Sequence, residues 1–306
     1  MKIFRNVQSL KKIKKKIVLT TGVFDGLHIG HQHLIKKVVK IAKKIKGVSV
    51  VLTFDTHPER FFNKKNKIKL IKDFEAKIKR LKILKVDSVL LEKFNRIKNL
   101  SAVDFIKKYI LSNMNLYCFV TGRDFVFGKN KSGNISLLRK LSKKLKFKLL
   151  VVPDIKINNK RVSSTLIRKY LKQGKIKLVE KMLGRQYSIT GKVVKGRHIG
   201  FKYPTANIKL KYEEIPADGV WAVRVLYKGK NYLGAANIGV APTLKGEKKP
   251  LLEVYIYNFH RNIYGKKIRV VFLEKIREER KFKNYQQLIK RVDKDIKLIQ
   301  KKYSNA

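Results

Sequence analysis

Apolar residues in the first half of the chain follow two alternating periods. Leu34, Val38, Ile41 and Ile45 fall at helical spacing among lysines and predict a helix over 32–46. The apolar run at 48–54 that comes next predicts a buried strand. The same exchange continues as helix over 74–84, strand over 88–91, helix over 102–111, and strands over 117–121 and 148–152. Strands that alternate with helices in this way predict an α/β fold, a parallel sheet with helices on both faces. Ligands of such sheets bind beyond the carboxyl ends of the strands. Polar clusters at 22–31, 53–58 and 122–128 each follow a predicted strand, so they should converge on one sheet edge.

The pattern changes at Gly184-Arg185. Short alternating segments follow at 187–194, 219–225, 232–238, 252–259 and 268–272, and predict an antiparallel barrel. A closing helix carries Leu288, Val292 and Ile296 on one face. The expected organisation is an α/β domain over 1–185 and a barrel domain over 186–306, with no low-complexity linker between them.

Composition narrows this picture only a little. The 306 residues are 44% hydrophobic and 31% charged, as in a folded chain long enough for two cores. No apolar run approaches the ~18–20 residues of a membrane helix, and no membrane partner is expected. The stretch 1–16 is basic, but the apolar run after it stops at Asp25-Gly26 without a small-residue cleavage site, which argues against a signal peptide. The single cysteine, Cys118, excludes an intrachain disulfide and a CxxC metal site; among Leu116, Phe119 and Val120 it reads as a buried apolar residue. A cytoplasmic enzyme fits these features. The net charge of +54 favours polyanions. Its lysines are spread along the whole chain, however, and no RNP-like or zinc-finger motif accompanies them, so a dedicated nucleic-acid partner is not expected.

The candidate chemistry begins at residues 18–31, where an apolar strand passes through a glycine-rich turn into a helix. Backbone N–H groups and the positive end of the helix dipole make that junction a phosphate site. His28 and His31, three apart, share one helix face and can reach the same anion. A second cluster, Gly122 to Asn130, fails as a Walker A loop, because five residues separate its glycines and Asn130 stands where Ser or Thr would bind magnesium. At 161–168, Ser163 or Ser164 can cap a helix, and Arg161 and Arg168 flank it. An ordinary capped helix explains the serines; an anion site explains the arginines too. Both readings stand on the residues alone.

Together these stretches resemble the bacterial bifunctional riboflavin kinase/FAD synthetases. Residues Gly22-Val23-Phe24-Asp25-Gly26-Leu27-His28-Ile29-Gly30-His31 look like the HxGH motif of nucleotidyltransferases. Thr53-Phe54 with His57-Pro58, Gly122 with Asp124-Phe125 and Phe127-Gly128, and Ser163-Ser164-Thr165 with Ile167-Arg168 look like that family's later motifs. In the second half, Pro204-Thr205-Ala206-Asn207 resembles the flavokinase signature, as do Gly219-Val220, Asn237-Ile238-Gly239 with Pro242-Thr243, Glu253, Tyr264-Gly265-Lys266, and Arg277 with Phe282. The resemblance implies a Rossmann-like nucleotidyltransferase domain followed by a flavokinase barrel with a terminal helix. HxGH alone is shared with other nucleotidyltransferases. An enzyme acting on another phosphorylated substrate, with the barrel as a binding module, is the alternative.

The resemblance implies two reactions: riboflavin to FMN in the barrel, then AMP transfer from ATP to FMN in the first domain, with Mg2+ as cofactor and ATP as co-substrate. His28 and His31 would donate to the ATP phosphates, and Gly22, Phe24, Asp25 and Gly26 of the turn would line the nucleotide. Ser164, Thr165 and Arg168 would hold the pyrophosphate side, with Arg161 as a further nucleotide-binding residue and Asp124 as a nucleotide contact. Glu253 would be the kinase base. Thr205 and Asn207 would hold Mg–ATP, their oxygens suiting magnesium. Between Gly196 and Pro204 the chain is shorter than the family's flap; Gly200 and Lys202 remain there as nucleotide contacts, Lys202 supplying positive charge. Asn258 stands where an Asp is common, and Lys131 near where Arg is frequent.

Overall fold

The structure, a computed structural model, describes residues 1–55, 58, 69–72, 74–196, 203–210, 214–242 and 248–304. The chain forms two compact units, Met1–Ser164 and Thr165–Ala306.

The first unit is built on a six-stranded sheet. Its strands are β1 (Lys2–Phe4), β2 (Ile17–Thr21), β3 (Val48–Phe54), β4 (Ser88–Glu92), β5 (Leu116–Gly122) and β6 (Lys148–Val152). They lie in the order β1-β4-β3-β2-β5-β6, and every neighbouring pair is parallel. Side chains alternate across the sheet with the period of two expected of strands. Leu19, Val50, Leu52 and Leu90 pack on one face with Phe105, Ile106, Phe119 and Leu138. Val18, Val51 and Val89 face the other way, toward helix α1 (Ile29–Lys44) and helix α2 (Phe74–Ile83). Helix α3 (Ile135–Lys144) precedes β6, and the two-stranded hairpin β7 (Lys156–Ile157) and β8 (Lys160–Arg161) follows it. Cys118 is buried as expected, and desolvation pushes its thiol up to about 11, which keeps it inert.

Three departures from the predicted elements have physical causes. Helix α1 starts at Ile29 rather than 32, because His28 caps it with its side chain. The helix expected over 102–111 is irregular: an α-helical turn at Ala102–Asp104 runs into a π-helical stretch, Phe105–Ile110. β1 gave no signal in the sequence, since three residues, two of them exposed, are too few to show a period.

The second unit holds a closed antiparallel barrel. Its strands are β9 (Ser188–Val194), β10 (Thr205–Lys209), β11 (Gly219–Tyr227), β12 (Lys230–Pro242), β13 (Lys248–Ile256) and β14 (Lys267–Arg277). They close in the order β10-β13-β12-β11-β14-β9. β10 was not among the expected strands; it completes the closure by pairing with both β9 and β13. Trp221 and Phe272 meet edge to face, 5.7 Å apart, in the barrel core. Helices α4 (Ser164–Lys172) and α5 (Ile176–Leu183) precede the barrel. The terminal helix α6 (Tyr285–Tyr303) lays Ile296, Ile299 and Tyr303 against Ala222, Leu273 and Tyr257. Asp295 on the same helix is buried between Arg277 of β14, at 2.7 Å, and Arg291, at 3.2 Å.

Candidate functional sites

In the first unit, β2 is a central strand, and its carboxyl end opens into the glycine turn. The turn is conformationally demanding: Phe24, Gly26 and Leu27 have φ of +52°, +71° and +42°. Only at Gly26 does the residue type remove the cost of that region. The Asp25 carboxylate is buried and accepts the Ile71 N–H at 3.1 and 3.2 Å, which ties the turn to the chain leading into α2.

His28 Nδ1 accepts the His31 N–H at 3.3 Å and so caps α1. With Nδ1 accepting, the neutral ring carries its proton on Nε2. The two imidazoles stack, centroids 3.6 Å apart and planes within 20°. Gly30 leaves room for that stack, because a Cβ there would lie 3.2 Å from the His28 ring and push it by a few tenths of an ångström. The spacing His-x-Gly-His therefore has a packing reason as well as a chemical one. The Phe24 ring meets His31 edge-on at 5.2 Å. Burial first, then repulsion from His28 whenever that ring is protonated and from the charges of Lys77 and Arg161, holds the His31 pKa well below its usual value. His31 is thus a neutral imidazole at physiological pH, still able to donate one N–H. Its Nδ1 is buried and has no hydrogen-bond partner among the described residues.

These groups line a cavity of about 1100 Å³ beyond the carboxyl ends of β2 and β5. Gly22, Phe24, His28, His31, Asp124, Arg161 and Ser164 all border it, as do the aromatic rings of Phe54, Phe125 and Phe127. Within it Arg161 is paired with Asp124 and, at 3.1 Å, with Asp154. Asp124 thus orients the guanidinium in this structure. Ser164 Oγ donates to the Asp25 carbonyl at 3.1 Å, which ties this residue to the glycine turn. Thr165 and Arg168 follow on α4 in the second unit, Thr165 exposed and Arg168 half-buried. Of the cluster at 53–58, Thr53 Oγ1 donates to the Val23 carbonyl at 3.2 Å, whereas Thr56 and His57 lie outside the described residues.

Two polar residues beside this region were not singled out from the sequence. Glu92, buried at the end of β4, accepts from the Tyr109 hydroxyl at 2.5 Å and from the Lys93 N–H at 2.8 Å. Lys77 of α2 donates into the glycine turn. Nothing in the sequence marks Lys77 among 75 basic residues; only the fold gives it partners.

In the barrel, register settles which way Glu253 faces. Leu252, Val254 and Ile256 are buried in the core, so Glu253 and Tyr255 point to the opposite face. Glu253 stands opposite Asn207 of β10 on one side and Asn237 of β12 on the other. The three side chains form a row across three strands. Burial raises the Glu253 carboxyl above its ordinary value. Thr205 lies two residues before Asn207 on the same face of β10 and is exposed. Gly196 packs against the Asn207 amide so closely that a Cβ would come within 2.2 Å of Nδ2. Tyr203, just before the Pro204 turn, hydrogen-bonds Asp293 of α6 and packs its ring 5.0 Å from Tyr255. Asn258 occupies a left-handed backbone position, φ +53°, which Asn tolerates well. Gly200, Lys202 and Thr243 lie outside the described residues. Arg277 is taken up by Asp295, with Phe282 5.7 Å below its guanidinium.

No described helix is long and apolar enough to cross a membrane, and the described residues hold no cluster of three or more His, Cys, Asp or Glu able to bind a metal. The donors at Thr205, Asn207 and Glu253 are hydroxyl, amide and carboxylate oxygens, a set suited to a hard cation that keeps water and phosphate ligands.

Comparison with known proteins fits both sites into one framework. The FAD synthetase family model matches residues 10–166, and the riboflavin kinase family model matches residues 183–303. A bifunctional riboflavin kinase/FMN adenylyltransferase of Buchnera aphidicola subsp. Schizaphis graminum is 40% identical over 312 residues, covering 100% of this chain and 99% of its own. The protein of the same name from Escherichia coli K12 is 32% identical over 300 residues, covering 96% of each chain. A crystal structure from Streptococcus pneumoniae, described as a macrolide-efflux protein, matches 97% of this chain and 98% of its own, with a TM-score of 0.85 at 29% identity. The chain belongs to the bifunctional riboflavin kinase/FMN adenylyltransferase family.

Proposed function

We propose, from that membership, that this chain makes FAD from riboflavin in two ATP-dependent transfers, one at each site. The observation that carries the reading is the presence in one chain of a stacked histidine pair at a helix N-terminus and a half-buried carboxylate flanked by two asparagines in a closed barrel. The α/β portion, residues 1–185, is assigned the adenylyl transfer, and the barrel portion, 186–306, the phosphorylation.

In the barrel, the primary hydroxyl of riboflavin attacks the γ-phosphorus of ATP. The bond from that phosphorus to the bridging oxygen breaks, and ADP leaves. Glu253 accepts the hydroxyl proton; its raised pKa brings it nearer the range of an effective base. Asn207 and Asn237 stand in register on either side of it. Thr205 and Asn207 are the residues that would hold Mg2+, which, when bound, supplies neutralisation of phosphate charge. Gly200 and Lys202 are assigned to the ATP side of this site.

In the first unit an FMN phosphate oxygen attacks the α-phosphorus of a second ATP in line, and pyrophosphate departs. No bond to the protein forms, so the chain contributes positioning and charge stabilisation. His28 and His31 present N–H donors at the start of α1, where the helix dipole also favours the phosphates. Gly22, Phe24, Asp25 and Gly26 shape the turn around them. Arg161, oriented by Asp124, is assigned to nucleotide binding, and Ser164, Thr165 and Arg168 are assigned to the pyrophosphate side. A cytoplasmic location is part of the proposal, consistent with one buried thiol and no pairing partner for it.

The test is direct. Purified protein given riboflavin, ATP and Mg2+ should yield FMN and then FAD by chromatography. Formation of neither product overturns the proposal; FMN without FAD, even from supplied FMN, overturns its adenylyl half.

A further inference from the structure

We infer that Lys77 is a positioning residue for the adenylyl transfer, holding the glycine turn that sets the orientation of His31. The inference rests on the adenylyl-transfer reading of that site.

Lys77 lies on α2, and its ammonium reaches across to the carboxyl ends of β2 and β3. Nζ donates to the Val23 carbonyl at 2.9 Å, to Thr53 Oγ1 at 3.3 Å and, more weakly, to the Phe54 carbonyl at 3.5 Å. Thr53 Oγ1 donates to the same Val23 carbonyl, so this oxygen is gripped from two elements. Immediately after it, Phe24 enters the left-handed region at φ +52°. A phenylalanine keeps that conformation only where its surroundings over-determine it. The Phe24 ring folds back over Gly22, where a Cβ would come within 3.1 Å of it, and sets its edge against the His31 imidazole. The chain of contacts thus runs from Lys77 through Val23 and Phe24 to His31. Lys77 does not border the cavity itself, so its effect passes through the turn.

Its charge is the second part. Asp25, from the turn, and Asp55, after β3, attract the ammonium, whereas burial outweighs them and brings its pKa down to about 8. His31, on α1, feels the same positive charge, which favours its neutral form. Deprotonation of Lys77 would remove one of its N–H donors and release that bias on His31. Adenylyl transfer should therefore weaken as pH rises through about 8.

The experiment measures FAD formation from supplied FMN, and FMN formation from riboflavin, in the full chain across pH. In Lys77→Met the kcat of adenylyl transfer should fall on the order of 10- to 100-fold, the scale of a misplaced catalytic group. Its KM for ATP should change far less, and riboflavin phosphorylation should stay at the wild-type rate. Lys77→Gln keeps N–H donors without titrating; it should show an intermediate rate and no alkaline decline, and it serves if the Met variant does not fold. Lys79→Met, exposed on the same helix, should match wild type in both activities. A Gln variant that keeps the wild-type alkaline decline, or a folded Met variant with wild-type kcat, overturns the inference. Wild-type protein that makes no FAD at all overturns the underlying reading instead, so the two failures are distinguishable.

Discussion

Glu253 and Asn207 face each other across the β10–β13 ladder, directly in register. That register, with Asn237 opposite it on the other side, sets the glutamate in a row of three polar side chains rather than alone on a strand. Glu253→Gln keeps the shape and removes the base. FMN formation should fall on the order of 10²- to 10⁴-fold, while adenylylation of supplied FMN continues. The base works only when ionised, and burial raises its pKa. The acid decline of phosphorylation should accordingly begin at a higher pH than an ordinary carboxylate would give, and be missing from the residual activity of the Gln variant. Initial rates against pH, by chromatography of the flavins, check both points.

His28 does two jobs that a pair of substitutions can separate. Its Nδ1 caps α1, and its ring is stacked on His31 at the proposed phosphate site. His28→Ala removes both, with a loss of about 1 kcal/mol for the missing cap. His28→Asn restores a capping oxygen but no imidazole. Both variants should lose FAD formation by on the order of 10²- to 10³-fold, as when one charge-stabilising donor is removed, with FMN accumulating. Only the Ala variant should unfold at a lower temperature. Equal thermal stability of the two would argue that the cap contributes nothing, and FAD formation by the Asn variant at the wild-type rate would remove His28 from the chemistry.

Much of this site was readable before the fold was known, and for identifiable reasons. His28, Gly30 and His31 are local in sequence, and so is the strand–turn–helix that carries them; periodicity and residue type suffice to place them. That the cluster holding Asp124 should meet this motif at one sheet edge followed from each lying just after a predicted strand; that Arg161 and Ser164 join them there came only from the fold. What the sequence could not display were pairings set by register and by distant helices. The flanking of Glu253 by Asn207 and Asn237 depends on a strand, β10, whose five residues follow a proline and show little alternation. The pairing of Arg161 with Asp124, and the reach of Lys77 into the turn, exist only after tertiary packing. The lysine background hides such residues, because a chain of net charge +54 offers no contrast against which one ammonium stands out.

Gly26 is a sensitive point in the turn for two independent reasons. Its φ is +71°, and a Cβ would lie 2.9 Å from Ile71 Cγ2. Ile71 is fully buried and its N–H is bonded to Asp25, so it has little freedom to retreat. Gly26→Ala should cost at least the ~1–2 kcal/mol of a left-handed L-residue, with the clash in addition. Thermal unfolding should show the loss, and adenylyl transfer should drop with it because His28 follows two residues later. Riboflavin phosphorylation, measured below the unfolding transition, should be unaffected. An Ala variant as stable as wild type would mean that the turn relaxes freely, against the tie from Asp25 to Ile71.

Gly196 tests the barrel site by a different route. Its own backbone lies outside the left-handed region, so an alanine there is not strained by conformation. The added methyl would instead come within 2.2 Å of Asn207 Nδ2 and 2.8 Å of Cγ, and the amide must swing away. If Asn207 holds the Mg–ATP side, Gly196→Ala should raise the KM for ATP in phosphorylation by on the order of tenfold, about 1.4 kcal/mol. Adenylyl transfer should not change. The effect is expected to run through one neighbour, which a double-mutant cycle can expose. In an Asn207→Ala background the same glycine substitution meets no amide and should add little further loss. Additive losses in the cycle would instead place the cost of the methyl in the backbone after β9, and remove the contact with Asn207 as the reason that glycine is needed there.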